Sequence, residues 1–162
     1  MHVYPMAVQS FSVSLDAANL RIGVVVSRFN AFITEELVKG ALRVLAEHGC
    51  REENIRLVKV PGAWELPVAA KHLATNCDAI VALGAVVRGD TPHFDYVAGS
   101  AADGLSRVSA ETGVPVAFGV LTTNDMQQAM DRAGGKSGNK GAEAAEVAIE
   151  MANLIRELKA GG

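Results

Sequence analysis

The fold of this 162-residue chain is decided by two apolar runs, Ile22-Gly23-Val24-Val25-Val26 and Ile80-Val81-Ala82-Leu83. Neither run alternates with polar residues, which is typical of a parallel strand covered on both faces. Aliphatic runs alternate along the chain with segments of helical period. The predicted strands are Arg21 to Ser27, Asn54 to Val60, Asp78 to Val87 and Pro115 to Leu121. This βαβα order predicts one three-layer α/β domain with a four-stranded parallel sheet and right-handed crossovers.

Composition agrees with a single folded domain. Hydrophobic residues make up 49% of the chain and charged residues 20%, enough to build a core and to exclude general disorder. A net charge of −3 argues against nucleic acid as a partner. The longest apolar run, Ala79 to Val87, is too short to span a bilayer, and the chain starts without a leader pattern, so we expect a soluble, cytoplasmic protein. Cys50, Cys77 and the four histidines show no metal-ligand spacing.

The segments between the strands predict helices. Leu66 to Thr75 is expected to be a short helix, and a later helix is expected to begin after Thr91 as N-cap, with Pro92 in its first turn. A short helix ending at Arg132 and a loop over residues 133–141 precede the last helix. The apolar residues predicted to form the buried face are Ile33, Leu37, Ala41 and Leu45 in the first helix. In the last helix this apolar stripe is Val147, Met151, Leu154, Ile155 and Leu158. Gln9 to Leu15 alternates apolar residues with serines, which indicates a half-buried strand at a sheet edge or one lent to another subunit.

Ligands of such sheets bind beyond the carboxyl ends of the strands. After the third strand, Gly89 leads into a helix whose first N–H groups favour an anion, and His93 lies in its first turn. The positive end of the helix dipole favours the neutral imidazole, which can accept a proton. An exposed histidine on a capped helix is the alternative.

Other strand ends carry further candidates, each with a structural alternative. Phe29 either stacks on a flat ligand or packs at a helix start. Glu65 either accepts hydrogen bonds from ligand hydroxyls or simply occupies a first helical turn. Arg132, Lys136 and Lys140 either bind a phosphate or form a solvated basic loop.

Taken together, five segments resemble the 6,7-dimethyl-8-ribityllumazine synthase family. They are Arg28-Phe29-Asn30, Val60 to Pro67, Ala82 to Gly89, Thr91 to Val97 and Phe118 to Thr123. Gly138-Asn139-Lys140-Gly141 completes the pattern. The resemblance starts at about Val8, so residues 1–7 are interpreted as an N-terminal extension of a domain over residues 8–162. It implies a flavodoxin-like strand order.

The resemblance also implies an activity. Members of the family condense 5-amino-6-(D-ribitylamino)uracil with 3,4-dihydroxy-2-butanone 4-phosphate, releasing phosphate and water, and they make the lumazine that riboflavin synthase consumes. No metal or organic cofactor is implied. Two other hypotheses stay open: a flavin or lumazine carrier or container, and a riboflavin synthase of the same fold that dismutates lumazine.

Site roles follow from the resemblance, residue by residue. Phe29 is implied to stack on the pyrimidine, and His93 to transfer protons. The ribityl chain is bordered by Ala63, Trp64 and Glu65, and the uracil edge is held by Ala85, Val86 and Val87. The phosphate is held through the backbone of Asp90 and Thr91 and by the side chain of Arg132, while Phe118 and Lys140 reach in from an adjacent subunit.

The resemblance further implies a homo-oligomer, with sites between neighbours in a pentamer and the N-terminal strand added to a neighbour's sheet. The loop from Gly134 to Gly141 has no insertion, which favours a hollow icosahedral shell of twelve pentamers. Riboflavin synthase is then a candidate partner.

Overall fold

The computed structural model describes residues 4–161 and contains the predicted parallel sheet. Its strands are β1 (Ile22–Ser27), β2 (Ile55–Val60), β3 (Ala79–Val87) and β4 (Val116–Thr123), in the order β2-β1-β3-β4. Strand β4 runs two residues past the predicted end at Leu121, because Thr122 and Thr123 pair with Val86 and Val87 of β3. The predicted three-layer, flavodoxin-like domain is confirmed.

Within residues 4–161, five helices and a small hairpin complete the domain. They are α1 (Ala31–Glu47), α2 (Leu66–Leu73), α3 (His93–Thr112), α4 (Met126–Asp131) and α5 (Lys140–Gly161), with the hairpin strands β5 (Ala133–Gly135) and β6 (Gly138–Asn139) in the predicted loop. Short 3-10 turns at Glu52–Asn54 and Ala63–Glu65 flank β2. Helices α1 and α5 cover one face of the sheet, and α2 and α3 cover the other.

The central strands are buried on both faces, as their uninterrupted apolar sequence predicts. In β1, Val24 and Val26 pack under α1 and α5, whereas Val25 points to α2 and α3. In β3, Val81 and Leu83 face α1 and α5, whereas Ile80 and Ala82 face α2 and α3. The period of two along each strand therefore supplies two hydrophobic clusters from one sheet.

Helix α3 begins one residue later than predicted. Thr91 is not its N-cap: Pro92 holds that position and His93 is the first helical residue. The hydroxyl of Thr91 still accepts a hydrogen bond from the backbone N–H of His93, at 3.4 Å. A proline at the cap leaves no side-chain oxygen there, so the threonine one residue upstream takes part of that role.

The buried face of α5 differs from the predicted apolar stripe. The residues that face the core are mostly small, with Ile149 as the one large side chain: Gly141, Ala144, Ala145, Ala148, Ile149 and Ala152. In contrast, Val147 and Leu158 are exposed, and the rest of the predicted stripe is half-buried. The reason is the close approach of α1: a Cβ atom on Gly141 would collide with the backbone carbonyl of Leu37. Only small residues fit at such a contact. The predicted stripe of α1 is buried as expected.

The N-terminal segment does not join the sheet of its own chain. Residues 9–15 form no strand with β2 or β4, so the predicted edge strand within this chain is wrong. The segment instead approaches α5, where the Asn153 side-chain amide donates to the carbonyls of Ser14 and Asp16, both at 3.0 Å. Phe11 and Val13 are exposed. Addition of this strand to a neighbour stays a prediction, and residues 1–3 of the predicted extension lie outside the described residues.

Both cysteines are buried and unpaired. Burial raises the pKa of the Cys50 and Cys77 thiols, which keeps both in the neutral form. Neutral thiols are poor nucleophiles and poor metal ligands, so they act as space-filling residues here. No helix within residues 4–161 has both the length and the apolar character needed to cross a bilayer.

Candidate active site

The loops that follow β1 and β2 are joined by backbone hydrogen bonds. The N–H of Arg28 donates to the carbonyl of Val60 at 2.8 Å, and the N–H of Phe29 donates to that of Pro61 at 3.1 Å. These two bonds extend the parallel pairing of Ser27 with Val60 beyond the strand ends. They fix Phe29 beside the turn that carries Trp64.

A first cavity of about 570 Å³ opens at the carboxyl ends of β1, β2 and β3. We call it the strand-end cavity. It is lined by Phe29, Pro61, Gly62, Ala63, Trp64, Glu65, Ala85, Val86, Val87, Gly89, Thr91, His93, Phe94 and Val97. The ring-stacking candidate and the proton-transfer candidate, far apart in sequence, therefore lie in one cavity. Asp90 is exposed and does not line it.

The walls of the strand-end cavity are mainly apolar and suit a flat ligand. The rings of Phe29 and Trp64 are 71% and 58% exposed, so large aromatic surfaces are available to stack. Glu65 adds a carboxylate at the wall, and its Oε1 accepts a hydrogen bond from the N–H of Gly62 at 2.9 Å. One carboxylate oxygen is thus used to hold its own turn, which fixes the orientation of the group.

Arg88 fixes the start of α3, although sequence reasoning gave this residue no role. Its guanidinium lies over the Phe94 ring, 4.3 Å from the centroid, and 3.6 Å from the Asp95 carboxylate. Its Nε donates to Oδ1 of Asn124 at 3.1 Å, in the loop before α4. A single side chain therefore connects the helix that carries His93 to the next loop. The only signal in the sequence was its position inside a segment that resembles the family.

A second cavity of about 470 Å³ lies along β4, the edge strand of the sheet. We call it the edge cavity. It is lined by Phe118, Val120, Leu121, Thr122, Thr123, Arg132, Ser137, Lys140 and Glu143. It therefore combines two cationic side chains with an aromatic ring that is 39% exposed.

Arg132 lies in this edge cavity, apart from His93. Its Nη1 donates to the carbonyl of Gln128 at 2.9 Å, which holds the guanidinium against α4. The neighbouring Lys136 does not line the cavity; it is exposed and lies 3.7 Å from the Asp131 carboxylate. Sequence reasoning missed Glu143, which lines the cavity from the first turn of α5, three residues after Lys140. Residues three apart on a helix lie on the same face, so this spacing was the signal that could have placed Glu143 beside Lys140.

Within the described residues, no group of three or more His, Cys, Asp or Glu side chains comes together in a way that could hold a metal ion. The chemistry that the two cavities offer is instead stacking, proton transfer and anion binding.

A comparison with protein families gives a match over most of the chain. The family model described as 6,7-dimethyl-8-ribityllumazine synthase matches residues 19–156. The matched range contains β1 to β4 and every residue that lines either cavity.

Proposed function

The chain belongs to the 6,7-dimethyl-8-ribityllumazine synthase family, transferases of riboflavin biosynthesis, and on that premise we propose that it condenses 5-amino-6-(D-ribitylamino)uracil with 3,4-dihydroxy-2-butanone 4-phosphate. The products are 6,7-dimethyl-8-ribityllumazine, phosphate and water. The reaction forms a Schiff base between an amine and a ketone, eliminates phosphate and closes a ring. It needs a proton acceptor, an anion clamp and two oriented substrates.

One observation carries the proposal: the chain has two separate cavities whose linings complement each other. The strand-end cavity offers Phe29 and His93, but none of its described lining residues is an arginine or a lysine. The edge cavity offers Arg132 and Lys140. We therefore place the complete active site where the strand-end cavity of one subunit meets the edge cavity of its neighbour.

In this site the two substrates have separate supports. The uracil stacks on Phe29, with its edge along Ala85, Val86 and Val87, and its ribityl chain passes Ala63, Trp64 and Glu65.

The phosphate of the second substrate lies against the backbone of Asp90 and Thr91 and against the Arg132 guanidinium, while Phe118 and Lys140 close the site. This division is supported by the apolar lining of one cavity and the cationic lining of the other.

The position of His93 suits proton transfer beside the leaving group. It is the first residue of α3, so its ring and the free N–H groups of the helix start lie at the same end. A phosphate held there by backbone N–H groups and by a guanidinium can leave as its negative charge develops. The imidazole accepts and returns the protons that the Schiff base and ring-closure steps release.

The assembly that we propose is a pentamer, with twelve pentamers forming a shell in the cytoplasm and riboflavin synthase as a candidate partner. The domain covers residues 8–162, after an extension of residues 1–7. Exposed apolar side chains support burial against neighbouring copies: Phe11 and Val13 in the N-terminal segment, and Val147 and Leu158 on α5.

The activity is tested by mixing the two substrates and following lumazine absorbance, with the uncatalysed reaction subtracted. We expect product only when both substrates are present. Conversion of lumazine supplied alone would indicate a riboflavin synthase instead. Tight lumazine binding without any turnover would indicate a carrier, and either result would contradict the proposal.

The shared site is tested by co-assembling two impaired variants, His93→Ala and Arg132→Ala, after dissociation of the oligomers, and by assaying them with the phosphorylated substrate well below the KM of Arg132→Ala. In a mixed ring of equal parts, about a quarter of the interfaces join an intact strand-end cavity to an intact edge cavity. At that substrate concentration the mixture should be more active than either parent. If it is no more active than the mean of the two parents, both cavities act within one chain and the shared site is wrong.

A further inference from the structure

Asn30, at the end of β1, has an unusual backbone and an unusual hydrogen bond. Among residues 4–161 it is the only non-glycine residue with a positive φ, 62°. It occupies the N-cap position of α1, yet its side chain caps no N–H of that helix. Instead its Nδ2 donates to the backbone carbonyl of Ala85 in β3, at 3.0 Å and partly buried. The amide therefore connects the turn that carries Phe29 to the neighbouring strand β3, at a residue that also lines the cavity.

This bond completes the sheet where β1 has ended. The pairing of β1 with β3 stops at Val26 and Leu83, while β3 continues to Val87. The Ala85 carbonyl beyond that point has no strand partner on the β1 side, and the Asn30 amide takes the place of one. A buried carbonyl without a donor is unfavourable, so the amide satisfies a requirement of the backbone.

The next backbone groups on the same side belong to Val87. The N–H of Arg88 donates to Thr123 of β4, so it faces the β4 side of the strand. Because successive peptide groups of a strand alternate in direction, the N–H and C=O of Val87 face the β1 side, where the strand-end cavity lies. On the wall of the cavity, the N–H and C=O of Val87 are therefore the next backbone groups after the Ala85 carbonyl.

The position of Phe29 depends on the same hydrogen bond between Asn30 and Ala85. Its ring is 71% exposed, so packing does not hold it in place. Its own N–H is bound to Pro61 beyond β2, and the next residue is bound to Ala85 of β3. The spacing between the ring and β3 is set by these two hydrogen bonds.

We propose that Asn30 is a positioning residue: its amide, bound to the Ala85 carbonyl, sets the separation of the Phe29 ring from β3 and directs the uracil edge to the Val87 peptide. The inference rests on the proposed function, since it assigns the stacked ligand to the pyrimidine substrate. It predicts that loss of the amide weakens binding of the uracil and leaves the phosphorylated substrate unaffected.

Two variants separate the amide from the backbone conformation. Asn30→Gly keeps the positive φ without strain and removes the amide. Asn30→Asp tolerates the same φ but replaces the donor with a carboxylate that faces the Ala85 oxygen. Asn76→Asp is the matched control, because Asn76 is exposed and does not line the strand-end cavity.

Trp64 provides the binding signal, since it is the only tryptophan of the chain and lines the cavity. Quenching of its fluorescence by 6,7-dimethyl-8-ribityllumazine gives Kd, and steady-state kinetics give KM for each substrate. We expect Asn30→Gly to raise Kd and the uracil KM about 3- to 10-fold, as for the loss of one hydrogen bond. The KM of the phosphorylated substrate should stay within about 2-fold, an effect below a single hydrogen bond.

The pH response gives a readout that a merely structural role would not move. The carboxyl group introduced by Asn30→Asp donates a hydrogen bond once it is protonated, so this variant should regain affinity relative to Asn30→Gly as the pH is lowered towards about 4, near the ordinary pKa of an aspartic acid. If Asn30→Gly binds as tightly as the unaltered chain, or if Asn30→Asp shows no such gain, the inference is wrong. If Asn30→Gly does not fold, the pH response of Asn30→Asp decides alone. Absence of lumazine binding to the unaltered chain would instead contradict the proposed function.

Discussion

The strand-end cavity and the edge cavity are similar in volume and opposite in chemistry. The first collects residues from the ends of three strands and is lined mainly by aromatic and aliphatic groups, with one imidazole and the Glu65 carboxylate. The second follows the edge strand β4 and is lined by a guanidinium, an ammonium and hydroxyl groups, together with the Phe118 ring and the Glu143 carboxylate. The first suits recognition of a planar heterocycle by stacking, and the second suits recognition of a phosphate by charge. Substitutions in the two cavities should therefore affect different substrates.

The largest effect is expected from His93→Ala. Loss of a general acid or base lowers kcat by about 10²- to 10⁴-fold, while both KM values change little because the ring is not needed for stacking or charge. His72→Ala is the matched control, since His72 is exposed on α2 and lines neither cavity. The mass of the oligomer in solution should not change in either variant. A kcat for His93→Ala equal to that of the control would remove the imidazole from the mechanism.

A somewhat smaller and more selective effect is expected from Arg132→Ala. Loss of charge-assisted hydrogen bonds to a phosphate costs about 1.5–3 kcal/mol, so the KM of the phosphorylated substrate should rise about 10- to 100-fold. Lumazine binding, measured at Trp64, should be unchanged.

Lys136→Ala separates this effect from a change in the overall positive field. Lys136 lies in the same loop with the same charge, but it is exposed and outside the edge cavity. An equal rise in KM for both variants would mean that the loop attracts the phosphate at long range, without a defined clamp. If added salt abolished the rise in KM in both variants, that result would also indicate long-range attraction without a defined clamp.

The sheet could be predicted from sequence, and so could most of the strand-end cavity. Runs such as Ile80 to Leu83 specify a strand buried on both faces, and parallel strands bring their carboxyl ends together whatever their order. The sequence therefore predicts that Phe29 and His93 lie at the same edge of the sheet, and both line the strand-end cavity. The edge cavity could not be predicted by the same rule, because it lies along β4 and depends on how the loop that carries Arg132 and the start of α5 fold against that strand.

The helices show a second limit of the sequence pattern. In α5 the large apolar residues predict a buried stripe, but the contact with α1 is so close that alanines and Gly141 take the core side. Periodicity identifies an apolar face, and it does not state which partner covers that face. The exposed Val147 and the N-terminal segment illustrate the same point, since neighbouring copies are the proposed partners of both.

The smallest expected effect compares two neighbouring aromatic rings. Phe29 lines the strand-end cavity, whereas Phe32, in the first turn of α1 and 59% exposed, does not. Leucine keeps an apolar side chain of similar size and removes the ring, so Phe29→Leu should weaken lumazine binding by about 0.5–1.5 kcal/mol, or about 2- to 12-fold in Kd measured at Trp64. Phe32→Leu should leave Kd unchanged. If both substitutions weaken binding equally, general apolar character near β1 accounts for the affinity, and stacking on Phe29 is not what distinguishes the two cavities.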